Sequence, residues 1–327
     1  MKAAVYRRTG GPEVLSVEEI ETPEPGPGQV RVRVELSGVN PTDWKSRSGA
    51  TGADPEGFQV PHHDGAGVVD ALGEGAGGTG GLAVGQRVWT YLAGAGNRYG
   101  TAAEYSVLAQ DRVVPLPDGA SFELGASLGV PALTAAHCLG ADPGALVGRC
   151  VLVAGGAGAV GHYAIELAKF AGARVVATVS NEEKAELARK AGADRVVNYR
   201  KPGAADRIAD FGRPDRIVEV AFGANLELDV AVSHPGTHVV VYASEASDPV
   251  LPTRKLMGAN ITVSWALLYG IGDEEKRDAV RWTSEALAAG ALTTLPLHVY
   301  PLEQVAEAQK AVEGGAVGKV LVRPVGV

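Results

Sequence analysis

The chain has 327 residues, of which 46% are hydrophobic and 21% charged, and its formal net charge is −8. This composition is typical of a globular protein, and the length is typical of two domains. The acidic balance argues against nucleic acid or an anionic membrane surface as the main partner. The two cysteines, Cys138 and Cys150, form no C-x-x-C pair, which argues against a disulfide scaffold or a cysteine-rich zinc site.

The sequence contains no segment typical of membrane insertion or export. No apolar run approaches the roughly 20 residues that a bilayer-spanning helix needs. The N-terminal residues reach Arg7 and Arg8 before any apolar stretch long enough for a signal peptide. We therefore expect a cytoplasmic protein without a membrane partner.

Short strands separated by Gly and Pro dominate the first part of the chain. Residues 29–36 alternate polar and apolar side chains with a strict period of two, which predicts a half-buried strand. Similar short patterns occupy residues 65–72, 86–91, 103–108 and 113–115. Several short strands joined by turns predict an antiparallel, barrel-like domain.

From residue 123 onward, strand and helix patterns alternate. The predicted strands are residues 151–154, 174–179, 195–198, 216–220, 237–242 and 260–264, and the predicted helices are 159–171, 181–191, 204–211 and 225–232. Six strands joined by short helices predict an α/β domain with a doubly wound parallel sheet over residues 123–265. Helical patterns at 273–289 and 302–312 and a strand at 319–323 follow. We expect residues 266–327 to return to the first domain, formed by residues 1–122.

A glycine motif separates the first strand of the second domain from its first helix. The pattern G-x-G-x-x-G is formed by Gly156, Ala157, Gly158, Ala159, Val160 and Gly161. A strand, a glycine loop and a helix in that order direct backbone N–H groups and the positive helix end toward one point, which suits a pyrophosphate. The chain holds 44 glycines, so an ordinary glycine-rich turn is the alternative. The flanking strand and helix favour dinucleotide binding.

The residues after the second strand of this domain predict which dinucleotide binds. NAD-binding domains place a carboxylate there for the ribose 2′-hydroxyl, whereas this strand ends in Ser180. Lys184 lies one helical turn further on, and Tyr199 follows the third strand. A hydroxyl, an ammonium group and a second hydroxyl favour the 2′-phosphate of NADPH.

Two observations weigh against this set. Ser180 and Glu183 also fit a capping box, in which Ser180 caps the helix, and Lys184 then lies on a solvated face. Glu182 and Glu183 would oppose a phosphate.

After the fifth strand come Tyr242, Ala243 and Ser244, at the edge where doubly wound sheets bind ligands, and we expect them to contact the cofactor.

Motifs in order along nearly the whole chain resemble the quinone oxidoreductase (zeta-crystallin-like) branch of the medium-chain dehydrogenase/reductase superfamily. They are GGPEVL (10–15), GVNPTD (38–43), RSG (47–49), DGAGV (64–68), GQRV (85–88), AEY (103–105), VNYR (197–200), PLEQVAEA (301–308) and GK (318–319). The resemblance implies a GroES-like catalytic domain and a Rossmann domain with NADPH bound between them.

The resemblance also implies roles for single residues. Ser180, Lys184 and Tyr199 occupy the positions that bracket the 2′-phosphate in this family. Thr134 matches a threonine near the nicotinamide, and otherwise it is a helix threonine bonded to its own turn. Gly318 and Lys319 match residues that close over the nicotinamide.

Zinc-dependent members of the superfamily differ at three positions. They place a cysteine where Asn40 stands, a Gly-His-Glu where this chain has residues 62–64, and a second cysteine near Val130. Only His63 is retained, whereas catalytic zinc needs three protein ligands. His62 and His63 are adjacent, so on a strand they would face opposite ways. We therefore expect no metal.

Without a metal, reduction of an electron-poor substrate is favoured over oxidation of an alcohol. Hydride added to a quinone or to the β-carbon of an α,β-unsaturated carbonyl leaves negative charge on an oxygen, which donors stabilise. Asn40 is the first candidate donor and cofactor contact; the alternative is a turn-forming Asn before Pro41. Asp43 is predicted to orient Asn40 or a loop.

Three further candidates line the predicted loops. Lys45 replaces a tyrosine common in the family and would protonate an enolate or steer an acidic substrate, unless it is solvated. Tyr99 would cover the substrate, unless it is a packed loop aromatic. His63 would relay a proton, unless it is structural.

The leading hypothesis is an NADPH-dependent reductase of quinones or enones. A 2-enoyl thioester reductase is the nearest alternative among enzymes, and an NADPH-binding sensor or structural protein is the alternative outside them. The sixth strand, residues 260–265, is apolar and lies at the sheet edge in this fold. An exposed apolar edge predicts a homodimer.

Overall fold

The computed structural model describes residues 1–77, 81–245 and 247–325. Within them it has fifteen strands: β1 (Lys2–Val5), β2 (Ser16–Glu19), β3 (Gln29–Val39), β4 (Asp64–Leu72), β5 (Arg87–Thr90), β6 (Tyr105–Ala109), β7 (Val113–Pro115), β8 (Cys150–Val153), β9 (Arg174–Val179), β10 (Arg195–Asn198), β11 (Arg216–Glu219), β12 (His238–Val241), β13 (Thr262–Trp265), β14 (Leu297–Pro301) and β15 (Lys319–Arg323). The same residues form nine α-helices: α1 (Pro41–Ser48), α2 (Phe122–Leu139), α3 (Ala159–Phe170), α4 (Glu182–Lys190), α5 (Ala204–Phe211), α6 (Phe222–Val232), α7 (Thr253–Ala259), α8 (Asp273–Ala288) and α9 (Val305–Glu313).

The chain packs as two compact units. The first consists of Met1–Val130 and the segment that begins at Pro296, and the second is Pro131–Leu295. Residues 266–295, expected in the first domain, therefore belong to the second unit. The reason lies after α8, where the backbone N–H of Thr293 donates to Glu166 Oε2 on α3 at 3.0 Å. The expected boundary after residue 122 precedes the observed one, which falls inside α2.

The first unit is built on β3. This long strand pairs antiparallel with β4, β6 and β15, and it buries alternate side chains from Val30 to Leu36. Its sheet has the order β14-β15-β3-β4-β5-β7, with β6 also paired to β3. Only β14 and β15 run parallel in this sheet as described. The predicted period-two strand and β-rich domain are confirmed.

The second unit contains a six-stranded sheet in the order β10-β9-β8-β11-β12-β13, and all its ladders are parallel. In chain order this is 3-2-1-4-5-6, the doubly wound arrangement predicted from the alternating pattern. All four residues of β8 are buried, as expected for a strand covered on both faces. The predicted α/β class is therefore confirmed.

Several elements were absent from the predictions because their sequences lack a hydrophobic period. Helix α1 is the clearest case, since its two buried residues are Asp43 and Arg47. Helix α7 has no buried residue, and β14 has none either. A pattern of apolar side chains cannot reveal elements that bury polar groups or very little.

A pair of acidic side chains is buried beside β11 in the second unit. Glu219 is 0% exposed and Asp229, on α6, is 1% exposed. Glu219 Oε1 accepts hydrogen bonds from the backbone N–H of Ala221 and from Asn225 Nδ2. Glu219 Oε2 and Asp229 Oδ2 have no donor among the described residues. A proton shared between the two carboxyl groups would supply that donor, in keeping with the raised pKa of both.

This pair predicts a dependence of stability on pH. Burial, and then the charge of Glu219, raises the pKa of Asp229, so the folded chain binds more protons than the unfolded chain from about pH 5 to about pH 9. The free energy of unfolding should fall as the pH rises across that range. Asp229→Asn removes the titration, so its melting temperature should fall less than that of the natural chain. Circular dichroism melts at constant ionic strength measure both.

The matched control is Asp210→Asn, because Asp210 is exposed on α5. Its melting temperature should follow that of the natural chain at each pH. Parallel curves for Asp229→Asn and the natural chain would show that the pair does not hold an extra proton.

Candidate functional site

The glycine motif occupies the loop between β8 and α3. Gly155 has φ 68, in the left-handed region, and turns the chain out of the strand. The N–H of Gly156 donates to Thr178 O at 3.0 Å, and a Cβ there would lie 2.8 Å from Ala177 Cβ. A Cβ on Gly161 would lie 2.4 Å from Gly155 O. The loop therefore packs against β9 and α3 at distances that exclude larger side chains.

The first turn of α3 is open to an anion. Its N-cap is Gly158, which is exposed and has no side chain to bond the first amides. The N–H groups of this turn are therefore available, and the helix dipole adds positive potential. The structure brings all six predicted motif residues to this place: Gly156 and Ala157 in the buried loop, then Gly158, Ala159, Val160 and Gly161 at the start of α3.

The loop also lies where the strand order reverses. Strands β8 and β11 are neighbours in the sheet. In a doubly wound sheet, the connections that follow two such strands run in opposite directions, which opens a crevice at their carboxyl ends where ligands bind. A Cβ on Gly155 would lie 3.1 Å from Val220 Cγ1, just after β11. The glycine loop and the end of β11 therefore form one edge.

The three residues predicted to bind a 2′-phosphate follow adjacent strands. Val179 pairs with Asn198 in the β9–β10 ladder, and the N–H of Tyr199 donates to Val179 O at 3.1 Å. Ser180 is half-buried and Tyr199 is 44% exposed. Ser180 and Tyr199 thus lie beside each other at the carboxyl edge, without a carboxylate at the end of β9.

The capping alternative for Ser180 is wrong, because Asn181 caps α4. Asn181 Oδ1 accepts the backbone N–H of Lys184 at 2.9 Å. Among the described residues no carboxylate pairs with the Lys184 ammonium group, which is half-buried. Glu182, an acid that would oppose a phosphate, is paired with Arg189 at 2.8 Å. The local charge around Lys184 is therefore less acidic than the sequence indicates.

The remaining predicted contacts of the second unit lie on α2 and after β12. Thr134 is buried on α2, with 6% exposure. Tyr242 and Ala243 are half-buried and Ser244 is exposed. The N–H of Tyr242 donates to Glu219 O at 3.0 Å, and burial raises the pKa of the Tyr242 hydroxyl. Tyr242, Ala243 and Ser244 therefore continue the carboxyl edge of the sheet.

In the first unit, the ends of three neighbouring strands bring polar side chains together. Asn40 follows β3, Asp64 begins β4 and Lys319 begins β15. The ladders pair Gly38 with Asp64 and Val39 with Val320, which places the three side chains at one edge. They are 2%, 0% and 3% exposed, respectively.

These side chains are joined by short hydrogen bonds. Asn40 Nδ2 donates to Asp64 Oδ2 at 2.6 Å, and Lys319 Nζ donates to Asn40 Oδ1 at 2.8 Å. Lys319 Nζ lies 3.8 Å from Asp64 Oδ2. Asp64 Oδ1 accepts the backbone N–H of Val130 at 2.8 Å. Burial raises the pKa of Asp64 and lowers that of Lys319, and the attraction between the two charges opposes both shifts.

Asp43 holds the backbone of Asn40, as predicted for an orienting residue. The N–H of Asn40 donates to Asp43 Oδ2 at 2.6 Å. Asp43 Oδ1 has no hydrogen-bond donor among the described residues and lies 3.9 Å from His63 Nε2. Burial raises the pKa of Asp43 well above its usual value and lowers that of His63 to about 4. Burial therefore favours the uncharged forms of both the Asp43 carboxyl and the His63 ring.

A chain of hydrogen bonds that no sequence motif indicated lies behind this cluster. Its members, in order, are Arg47, Gln309, His62, Ser37, Thr101 and the carbonyl of Asp64. Arg47 Nε donates to Gln309 Oε1, so Gln309 Nε2 donates to His62 Nε2 and the proton of His62 is on Nδ1. Burial lowers the pKa of His62 to about 3, which keeps the ring neutral. His62 has φ 76 and precedes β4, so the two histidines do not lie on a strand.

The side chains of Lys45 and Tyr99, and residue Gly318, take no part in the hydrogen bonds of this cluster. Lys45 is half-buried on α1, with Nζ 5.9 Å from the centroid of the Trp44 ring. The Tyr99 ring packs edge-on against Phe58, with centroids 6.0 Å apart, as in the packed-aromatic alternative. Gly318 has φ 116, and a Cβ there would lie 2.2 Å from Pro296 O, so glycine is required before Lys319.

The described residues offer neither a metal site nor a membrane span. In the part of the chain that the structure describes, no three His, Cys, Asp or Glu side chains are grouped as a metal site requires. No described helix is long and apolar enough to cross a bilayer.

Comparison with known proteins identifies the family. A model described as the alcohol dehydrogenase GroES-like domain matches residues 26–118, and one described as zinc-binding dehydrogenase matches residues 159–285. The chain is 31% identical to the quinone oxidoreductase of Homo sapiens, over 98% of this chain and 97% of that one.

Solved structures give the same result. An NAD-dependent alcohol dehydrogenase has a TM-score of 0.85 and 30% identity, with both chains covered completely, at 100%. A mycobacterial protein complexed with NADPH has a TM-score of 0.82 and 29% identity, over 99% of this chain and 100% of that one. The chain is thus an oxidoreductase with GroES-like and Rossmann-like domains, and it belongs to the quinone oxidoreductase branch of the medium-chain dehydrogenase/reductase superfamily.

Proposed function

We propose that the protein is an NADPH-dependent reductase that transfers hydride to a quinone or an α,β-unsaturated carbonyl without a metal. The main support is the carboxyl edge of the second unit. There Lys184, which pairs with no carboxylate among the described residues, accompanies Ser180 and Tyr199, and β9 ends without a carboxylate. An ammonium group and two hydroxyls are the chemistry that binds a 2′-phosphate.

The residues that hold the cofactor are those placed on this edge and beside Lys319. The amides in the first turn of α3 would bind the pyrophosphate, and Gly156 and Gly158 would shape the loop, because their own N–H groups are bonded to Thr178 O and Gly155 O. Tyr242, Ala243, Ser244 and Thr134 would contact the ribose and nicotinamide side. The family resemblance also assigns Asn40, Gly318 and Lys319 as residues that would lie beside the nicotinamide, and Lys319 Nζ is itself bonded to Asn40 Oδ1. When bound, NADPH supplies the hydride. The chain's own residues orient the acceptor and stabilise the charge that it gains.

Zinc does not fit the residues of the first unit. The position of the family's first cysteine ligand holds Asn40, an amide, and the Lys319 ammonium group lies 2.8 Å from Asn40 Oδ1 and 3.8 Å from Asp64 Oδ2. A divalent cation at the same place would be repelled by that positive charge. Asn40 has one amide N–H without an acceptor in the described residues, and we assign it as the donor to the substrate oxygen.

Cofactor preference gives the first test. Lys184→Ala removes a charged donor to the 2′-phosphate, a contact worth about 1.5–3 kcal/mol. We therefore expect the ratio of kcat/KM for NADPH to that for NADH to fall about tenfold. Lys190→Ala is the matched control, because Lys190 is exposed on the same helix. An unchanged ratio in Lys184→Ala would refute the phosphate assignment.

A panel of electron acceptors tests the reaction itself. Oxidation of NADPH, followed by its absorbance, should proceed with an ortho-quinone or a simple enone and should be slower with an enoyl-CoA thioester. Prior treatment with a chelator should leave the rate unchanged. Faster turnover of the thioester would favour the enoyl thioester reductase, and tight NADPH binding without turnover would favour a sensor.

We also propose that the chain forms a homodimer through β13. This strand is at the edge of the described sheet, and Trp265 and Leu267 beside it are 66% and 63% exposed. The N–H groups of Thr262 and Ala266 donate to Thr237 and Val241 on the β12 side. Because alternate residues face alternate sides, the N–H of Val263 is directed toward the free edge.

Val263→Pro removes that outward N–H and should convert the dimer to a monomer. Light scattering after gel filtration measures the mass at micromolar concentration. Val263→Ala, which keeps the N–H, should remain a dimer. A monomeric natural chain, or a dimeric Val263→Pro variant, would show that this edge is not the interface.

A further inference from the structure

The Asn40 amide lies between two charged groups with opposite hydrogen-bonding requirements. Lys319 Nζ donates to Asn40 Oδ1 at 2.8 Å, and Asn40 Nδ2 donates to Asp64 Oδ2 at 2.6 Å. An ammonium group has only donors, and an ionised carboxylate has only acceptors. Rotating the amide by half a turn would place its N–H groups against the ammonium group and its oxygen against the carboxylate. The two charges therefore fix which end of the amide faces each of them.

Burial makes this arrangement rigid. The exposed fractions of Asn40, Asp64 and Lys319 are 2%, 0% and 3%, so water does not compete for their hydrogen bonds. Asp64 is fixed in turn, because its Oδ1 accepts the N–H of Val130 at 2.8 Å. Charge-assisted hydrogen bonds are stronger in such a low-dielectric place than in water.

The fixed orientation leaves one donor with a defined direction. A primary amide has two N–H groups, and one of them is bonded to Asp64. The other has no acceptor among the described residues. Its direction depends on the position of the amide oxygen, which Lys319 holds.

We propose that Lys319 is a positioning residue that acts through Asn40, directing the second amide N–H toward the substrate oxygen. This rests on the proposed reductase function. With NADPH bound, the donor C–H bond would break as the new C–H bond forms on the acceptor, the acceptor's π electron pair would move onto the oxygen, and that oxygen would later take a proton from water. That oxygen accepts the Asn40 N–H, and no covalent bond to Asn40 or Lys319 forms or breaks. Lys319 keeps its proton throughout.

A double-mutant cycle tests this role. The variants are Asn40→Ala, Lys319→Met and the two combined, and kcat is measured at saturating NADPH and quinone. Loss of one preorganised donor lowers kcat by about 10²-fold, so Asn40→Ala should fall by that amount. Lys319→Met should fall about tenfold or more, and the double variant should be no slower than Asn40→Ala. Lys319→Arg keeps the charge and should recover part of the loss.

Two outcomes would overturn the proposal. If the losses multiply in the double variant, Lys319 acts independently of Asn40. If Lys319→Met keeps the natural kcat, the ammonium group does not position the amide. A natural chain that oxidises no NADPH with any acceptor would instead refute the proposed function, which separates the two failures.

Controls address folding and nonspecific charge effects. Lys310→Met makes the same change at an exposed residue of α9 and should leave kcat unchanged. Should Lys319→Met fail to fold by circular dichroism, Asp64→Asn tests the other holder of the amide. It replaces an obligate acceptor by a group that also donates, so kcat should fall without a further loss when combined with Asn40→Ala. Multiplying losses in that pair would contradict the positioning role.

Discussion

The buried ion pair between Lys319 and Asp64, with the Asn40 amide bonded to both, is the constraint on which the first unit depends. It joins the ends of β3, β4 and β15 at one edge, with Nζ 3.8 Å from the carboxylate. Removing one member of a buried pair leaves the other as an uncompensated charge, which is strongly unfavourable. The contacts that hold these strands together also orient the Asn40 amide, which we propose as the donor to the substrate oxygen. The same residues would therefore stabilise the first unit and take part in the reaction.

The second unit meets a different requirement, because the proposed binding of NADPH needs it to present neutral and positive groups next to the phosphates. The glycine loop does so with backbone amides, which need close packing and therefore glycine at positions 156 and 161. At the end of β9 there is no acidic residue to repel a phosphate. Because Asn181 caps α4, the hydroxyl of Ser180 is not used as a helix cap. A separate pair of acids, Glu219 and Asp229, is buried near the same edge and needs a shared proton to remain there.

The features that the sequence predicted are local ones. The glycine motif, the strand ending in Ser180 and the alternation in residues 29–36 are each contained within a few residues, and their periodicity reflects burial directly. Helix α1 was not predicted, because the residues that it buries, Asp43 and Arg47, are charged and give no apolar period. The hydrogen-bond chain through His62 was not predicted, because Gln309 is 247 residues away in the sequence and polar partners produce no periodic pattern. The alternative in which Ser180 caps α4 was wrong by one residue, since Ser180 and Asn181 are both favourable caps and Asn181 is the one that bonds.

The first unit is formed by two segments with the whole second unit inserted between them. On the ribosome, residues 131–295 are available to fold as one continuous piece before the last segment emerges. By contrast, β3 cannot pair with β15, and Asp64 cannot pair with Lys319, until the last segment has been synthesised. Lys319 is 255 positions after Asp64 in the chain. Until the last segment emerges, residues 37–39 of β3 have one unpaired edge and Asp64 lacks its counterion. Nascent chains of this protein should therefore depend on chaperones mainly through the segment made first.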